Sequence, residues 1–333
     1  MSSTGFRRVA PAIGLFFVAP LVAEYLLGDL PIKMIGALVI LAPLYGGGAL
    51  LIREVVRRTG RGWPSILVLA FAYAVFEEAF TTQTLFNPNY LHLNMHLLDP
   101  AYIPALGIGG WWTIFVLTLH TVWSISVSIA LVESLVPERA TTPWLHGTGL
   151  TVTSVLFVLG SIGSTAIEIK QDHFIATKAQ FLVSAIVVII AIAAAFQLRP
   201  RTIPPTPGWV PSPWLAGAAA LIAGSIFMVV PNAWAWRAVG IYVLMDLLLI
   251  VAISAWSRRV GWNAQHRLAL AGGAALAYAW HAFLQHPAVG SAGTMFRIGN
   301  VVFAAALVLL LGIAARRTAA SVAPVATSTV PVS

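Results

Sequence analysis

Phe71-Ala72-Tyr73-Ala74-Val75-Phe76-Glu77-Glu78-Ala79-Phe80 sets two adjacent acids inside a run that otherwise reads as a membrane-spanning helix. A carboxylate in hydrocarbon costs roughly 2.5–3.5 kcal/mol on insertion scales unless it turns to the protein interior and finds a partner. The stretch therefore indicates a helical protein embedded in a bilayer. It also makes Glu77 and Glu78 the leading candidates for function.

Composition agrees. Of 333 residues, 59% are hydrophobic and 9% charged, against about a quarter charged in a soluble domain. Ten runs approach the roughly 20 apolar residues that a span needs: 9–28, 33–52, 64–86, 112–136, 149–168, 178–198, 213–231, 237–256, 266–286 and 296–315. The expected fold is all-α, a polytopic membrane bundle of about ten helices over 1–317. The proline-rich connector 199–213 divides six helices from four, and the Ala/Ser/Thr/Pro-rich tail 318–333 is expected to be disordered. Arg7-Arg8 ahead of the first run imitates a signal peptide. That run continues past Glu24 without a clear small-residue cleavage site, so it reads as an uncleaved span.

Charge fixes an orientation. With both termini cytoplasmic, the inner segments hold fourteen Lys and Arg residues and the outer ones five, the bias expected of a multi-pass plasma-membrane protein. The net charge of +8 then faces anionic lipid in short arginine clusters, and no nucleic-acid partner is implied. Cysteine is absent, which excludes disulfides, thiolate nucleophiles and Cys-ligated metals. No phosphate loop, nucleophile elbow or dinucleotide fingerprint is present.

At about 1.5 Å per helical residue, Glu77, His120 and Asp246 fall about 12–14 Å below the outer surface and His281 about 9 Å. Glu24 lies a turn or so below it. A shared depth on five helices predicts one polar cavity open to the outer side, with Gln83 and Gln285 among its lining. Glu77 and Glu78 stand about 100° apart on an α-helix, so they are not expected to point the same way. Each member also has a structural reading: a protonated carboxyl bonded to a neighbouring helix, or an interhelical histidine beside Ser and Thr. Glu133 and Glu168, at helix ends, read as solvated. Gly46-Gly47-Gly48 reads as a close-packing face. In the outer loop, His92 and His96 would share a face of a helix and hold a divalent metal with Asp99. Otherwise metal and cofactor are left open.

The segment Arg57-Arg58-Thr59-Gly60-Arg61-Gly62-Trp63-Pro64, followed by an apolar helix ending in Glu77-Glu78, resembles the first motif of the CAAX-prenyl-protease and bacteriocin-processing family of intramembrane endopeptidases. That family carries a paired Glu followed by Arg, then Phe-x-x-x-His, then His-x-x-x-Asn/Asp. The resemblance implies that Glu77 or Glu78 activates water while His120 and His281 stabilise the oxyanion. Thr82 stands at the Arg position, Val116 at the Phe position, and Gln285 where Asn or Asp follows the last His.

Three functions use these residues. A divergent intramembrane glutamate-dependent peptidase would act on a membrane-embedded peptide. A proton-coupled transporter or channel would pass a small solute. A non-catalytic scaffold would use the polar groups only to hold helices together.

Overall fold

The computed structural model describes residues 3–198 and 204–322, with backbone alone for 3–7 and 322. Among the described residues, eight helices are long and apolar enough to cross a membrane. They are α1 (Arg8–Leu26), α2 (Ile32–Arg58), α3 (Trp63–Thr81), α4 (Gly110–Leu135), α5 (Gly147–Asp172), α6 (Lys178–Gln197), α8 (Trp236–Trp256) and α10 (Thr294–Val322). Two more complete the bundle: α7 (Pro213–Val229) and α9 (Ala264–His281). The ten helices coincide with the ten apolar runs. The outer loop between α3 and α4 adds a two-residue antiparallel hairpin, Tyr102–Ile103 with Ile108–Gly109. Residues 199–203 of the expected six-and-four division, and 323–333 of the expected tail, lie outside the described residues. The part of that tail within them, Thr318–Val322, continues α10 as helix.

Burial sorts the helices. In α3 and α4, 67% of the spanning window is buried inside the protein, against 17% in α6 and 11% in α8. The central α1–α4 set packs around Leu15, Leu44, Ile66, Ile125, Ile129 and Trp144. A second core joins α4 to α7, α8, α9 and α10, where Trp123 stacks on Tyr278 (4.7 Å, 2°) and Phe115 on Phe227 (4.9 Å, 5°). Helix α9 is less apolar than the eight spans, because it lies among other helices and not against lipid. Its Gly272, Gly273, Ala274 and Ala275 are buried, and a Cβ at Gly273 would collide with the Gly217 carbonyl of α7. The lipid face is carried by exposed side chains such as Ile189 and Ile190 on α6 and Leu247, Leu248 and Val251 on α8. Trp209, Trp214, Trp234 and Trp236 are exposed near helix ends, as an interfacial belt requires.

The triple glycine of α2 is a packing face, and it does positional work for the interior. A side chain at Gly46 would strike the Phe16 backbone of α1, one at Gly48 the Tyr73 ring of α3, and one at Gly47 Phe157 of α5. Three helices close on α2 at this point, and that brings Tyr45 and Tyr73 together (6.4 Å between ring centroids).

On the arginine-rich side the sequence reading needs correction. Glu133 is buried, not solvated, and receives Arg57 through both oxygens (Nη2–Oε2 2.7 Å, Nε–Oε1 2.9 Å) and Arg53 at 3.1 Å. Arg53 is itself fully buried, bonded to Glu54 at 2.6 Å and stacked on Trp144 at 3.4 Å. Glu54 in turn accepts the backbone N–H groups of Trp144 and Leu145. Position at a helix end does not reveal this, because the loop Arg139–Leu145 folds back over the end of the bundle. Glu133→Ala is expected to cost about 3–5 kcal/mol by leaving Arg57 buried without its counter-ion and Arg53 with Glu54 alone. A thermal midpoint in detergent equal to that of the native protein would refute this.

Candidate functional site

Among the described residues, four short stretches of the spans wind as π-helix: Leu21–Leu26 in α1, Ala42–Gly46 in α2, Glu77–Thr81 in α3 and His120–Val127 in α4. Such turns are rare and concentrate at functional sites. Proline contributes to two of them: Pro20 leads into the first and Pro43 lies within the second, each lacking the N–H that an α-turn would use. At the third, the Thr82 N–H reaches back to the Glu77 carbonyl at 2.9 Å. Each of the four stretches supplies a polar side chain to the same place.

At its centre is His120. Its Nε2 lies 2.8 Å from Glu78 Oε1, its Nδ1 3.3 Å from Glu77 Oε2, and its Nδ1 also 3.0 Å from Ser124 Oγ. The two adjacent glutamates were not expected to point the same way. They nevertheless reach the same residue, because they approach opposite edges of one imidazole. The remaining Glu78 oxygen accepts the hydroxyls of Thr82 (3.2 Å) and Thr84, and Thr84 accepts the Trp112 indole N–H at 2.9 Å. Neither Glu77 oxygen has a hydrogen-bond partner, though the carboxylate is fully buried. Tyr45 stacks on His120 (5.8 Å, 24°) and donates its hydroxyl to Glu24 at 2.7 Å. Both Tyr45 and Tyr73 are close enough to Glu77 to interact with its charge.

The structure thus gathers Glu77, Glu78 and His120 in direct contact and joins Glu24 to them through Tyr45. Other candidates stand elsewhere. Asp246 accepts the Thr118 hydroxyl at 3.0 Å on another face of α4, and His281 makes an edge contact with Trp280 at 5.9 Å. Neither belongs to the group of converging polar atoms formed by Glu77, Glu78 and His120. Gln83 follows the π-turn and accepts the Ala176 N–H at 2.8 Å, so it fixes the loop behind Glu78. Gln285 donates to Asp29 at 2.8 Å. The cluster is closed in this conformation: Glu77, Glu78 and His120 are at most 5% exposed. The expected outward opening is not present at these side chains.

The loop histidines do not assemble a metal site. Leu91, His92, Asn94 and His96 all have positive φ, so no helix aligns them. His92 contacts the Gln171 carbonyl at 3.0 Å, while His96 pairs with Asp99 in full exposure. Glu168 is partly buried beside the Tyr90 hydroxyl (3.4 Å) and is not simply solvated. Among the described residues, the one group of three or more His and acidic side chains with ligand atoms close enough to share an ion is Glu77, Glu78 and His120.

Sequence reasoning passed over Tyr45, Tyr73, Ser124, Thr84 and Asp29. Ser124, four residues after His120, was legible as a same-face neighbour. The others depend on which helices meet.

A family model described as an uncharacterized membrane protein family matches residues 15–332. No curated protein and no solved structure matches the chain.

Asp29, just beyond α1, is pushed up to about 7, first by burial and then by the charge of Glu24, with the Gln285 amide opposing. The folded chain therefore holds this proton more tightly than the unfolded one. Its stabilising contribution is complete below about pH 4 and is lost as pH rises through about 7. Asp29→Asn, which keeps the neutral form, should gain in thermal midpoint relative to the native protein between pH 4 and pH 8. A difference that stays constant across this range would overturn the assignment.

Proposed function

We propose that this chain, which belongs to an uncharacterized membrane protein family, is a multi-pass plasma-membrane hydrolase that uses Glu77 and His120 to cleave a bond inside the bilayer. The observation that carries the reading is the state of Glu77. It is a fully buried carboxylate paired with the His120 imidazole at 3.3 Å, with the Tyr45 and Tyr73 hydroxyls alongside and no aligned hydrogen bond on either oxygen. A purely structural acid would satisfy its oxygens, since an unpaired buried polar group costs about 1–3 kcal/mol and a charged one more. A carboxylate reserved for a water molecule leaves them free.

The roles follow from geometry. Glu77 accepts a proton from water as general base and returns it to the leaving group. His120 lies within hydrogen-bond reach of the same volume and donates to the developing oxyanion. Glu78 holds the Nε2 edge of the imidazole and sets its plane, so the donor is Nδ1–H, which faces Glu77 and turns from Ser124 to the oxyanion. Thr82 and Thr84 hold Glu78 in turn. The likeness of the Glu77-Glu78 helix to the CAAX-prenyl-protease and bacteriocin-processing family makes the peptide bond of a membrane segment the first substrate class to test. His281 has no part in this scheme, because it makes no contact with the cluster. Substrate access requires helices to part, and the four π-turns are the places where the regular backbone ladder is already interrupted.

A second reading has its own observation. Asp29 in the outer loop, Glu24 and Tyr45 form a row that leads to His120 and Glu77. Its links are the Asp29 N–H on the Glu24 carbonyl (2.9 Å), the Tyr45 hydroxyl on the Glu24 carboxylate, and the stacked rings. Titratable groups in such a row favour proton movement coupled to a small solute.

Reconstituted protein should cleave quenched fluorescent transmembrane peptides. Glu77→Gln and His120→Ala should each lower the rate by about 10²–10⁴-fold with thermal midpoints retained. Undiminished cleavage in Glu77→Gln would refute the hydrolase. Loss of pH-dependent solute uptake in vesicles, without any peptide cleavage by the native protein, would install the proton-coupled reading in its place.

A further inference from the structure

We propose that Arg267 and Trp63 form a binding site for the phosphodiester of an anionic phospholipid, at the arginine-rich end of the bundle. Trp63 stands about 21 Å along α3 from Glu77 at 1.5 Å per residue. The site is therefore separate from the Glu77 cluster and does not rest on the hydrolase reading.

Local charge is out of balance there. Arg53, Arg57 and Arg267 face two carboxylates, and both oxygens of Glu133 are taken by Arg57 and Arg53. Glu54 is likewise engaged by Arg53 and two backbone N–H groups. Arg58, more exposed and 3.5 Å from Glu54, adds to the positive excess. Arg267 is close enough to Glu133 and Arg57 to feel both charges, yet among the described residues its guanidinium has no hydrogen bond and no ion pair. The side chain is half-buried, and its nitrogens are not sealed from solvent. No carboxylate nearby is left to pair with it, so an anion from outside the chain completes the balance.

Place and shape select the anion. Arg267 opens into a cleft shared with Trp63, Ser134, Pro137 and Ala264. Trp63 begins α3, Ala264 begins α9, and Pro137 follows the end of α4, so three helix ends set the cleft at the level of the bilayer surface. Lipid phosphates lie at that level, and basic clefts between spanning helices bind anionic headgroups there. The arginine fork matches two phosphate oxygens at once. Trp63 adds an indole N–H without a hydrogen-bond partner among the described residues, on a ring suited to the interface. The cleft has room for about one water at its base, so it admits phosphate oxygens and leaves the acyl chains outside the bundle. Glu133 also lines it, with its charge already matched by Arg57 and Arg53.

The test uses the full-length protein in detergent, titrated separately with short-chain phosphatidylglycerol, short-chain phosphatidylcholine and inorganic phosphate, with bound ligand counted by native mass spectrometry. One phosphatidylglycerol should bind in preference to phosphatidylcholine. Arg267→Gln should weaken that binding roughly fivefold or more, as the loss of one interfacial arginine predicts. Arg258→Gln, which removes an exposed charge from the same side, should leave it unchanged. In lipid-free detergent Arg267→Gln should keep the native thermal midpoint. Equal binding of the two lipids, or equal weakening in both variants, would reduce the site to diffuse charge and overturn it. Inorganic phosphate binding as tightly as phosphatidylglycerol would overturn the lipid in favour of a free anion. A midpoint lowered in Arg267→Gln without lipid would make Arg267 a member of the arginine network and overturn the site as well. None of these results bears on peptide cleavage, so the two proposals fail separately.

Discussion

The cost of placing charge where water is absent governs this molecule. Hydrocarbon on the outside leaves Arg53, Arg57, Glu54, Glu77, Glu78, Glu133 and His120 no choice but to face inward. Inside, each is set against a charged or polar neighbour. The central α1–α4 set is organised around that requirement. Helices α5, α6 and α8, which carry few such groups, spread their aliphatic side chains into lipid. Even the glycines of α2 belong to the same arrangement. By admitting α1, α3 and α5 to close range they bring Tyr45 and Tyr73 against the buried acids.

Much of the fold could be read from the chain because hydropathy and length report directly on the bilayer. The ten apolar runs became ten helices. Even α9, too polar at Gln265, His266 and Arg267 to face lipid, was legible as a helix from the apolar run 266–286. The candidate site was legible in one coordinate only. Depth, estimated from helical rise, correctly put Glu77 and His120 at one level. The direction in which each helix points is set by packing, and depth says nothing of it. Asp246 shares the depth yet turns to Thr118, and His281 turns to Trp280. The π-turns were invisible for a similar reason. An i to i−5 bond such as that from Thr82 to Glu77 is preferred only once neighbouring helices have fixed the side chains on either side of it. Glu133 was misread because its partners, Arg53 and Arg57, are some 80 residues away in sequence (|i−j| of 80 and 76).

The two polar clusters differ in how completely they are satisfied, and that difference separates structure from chemistry. In the arginine network both Glu133 oxygens and both Glu54 oxygens are engaged, the former by two guanidinium groups and the latter by Arg53 and two backbone N–H groups. Such a network ties α2, α4 and the Arg139–Leu145 loop into one geometry and has no valence left over. In the outer-half cluster the pattern is inverted. Ser124, Thr82, Thr84 and Trp112 restrain the side chains, and the atoms left unrestrained are the ones that converge. Glu77 contributes two open oxygens at full burial. A protein under selection for stability alone gains nothing by keeping that group there, since an apolar residue of similar size would be neutral or better. The loose bonding of Glu77, set against the completeness of Glu133 in the same bundle, is therefore the physical ground on which we propose function at the first and architecture at the second.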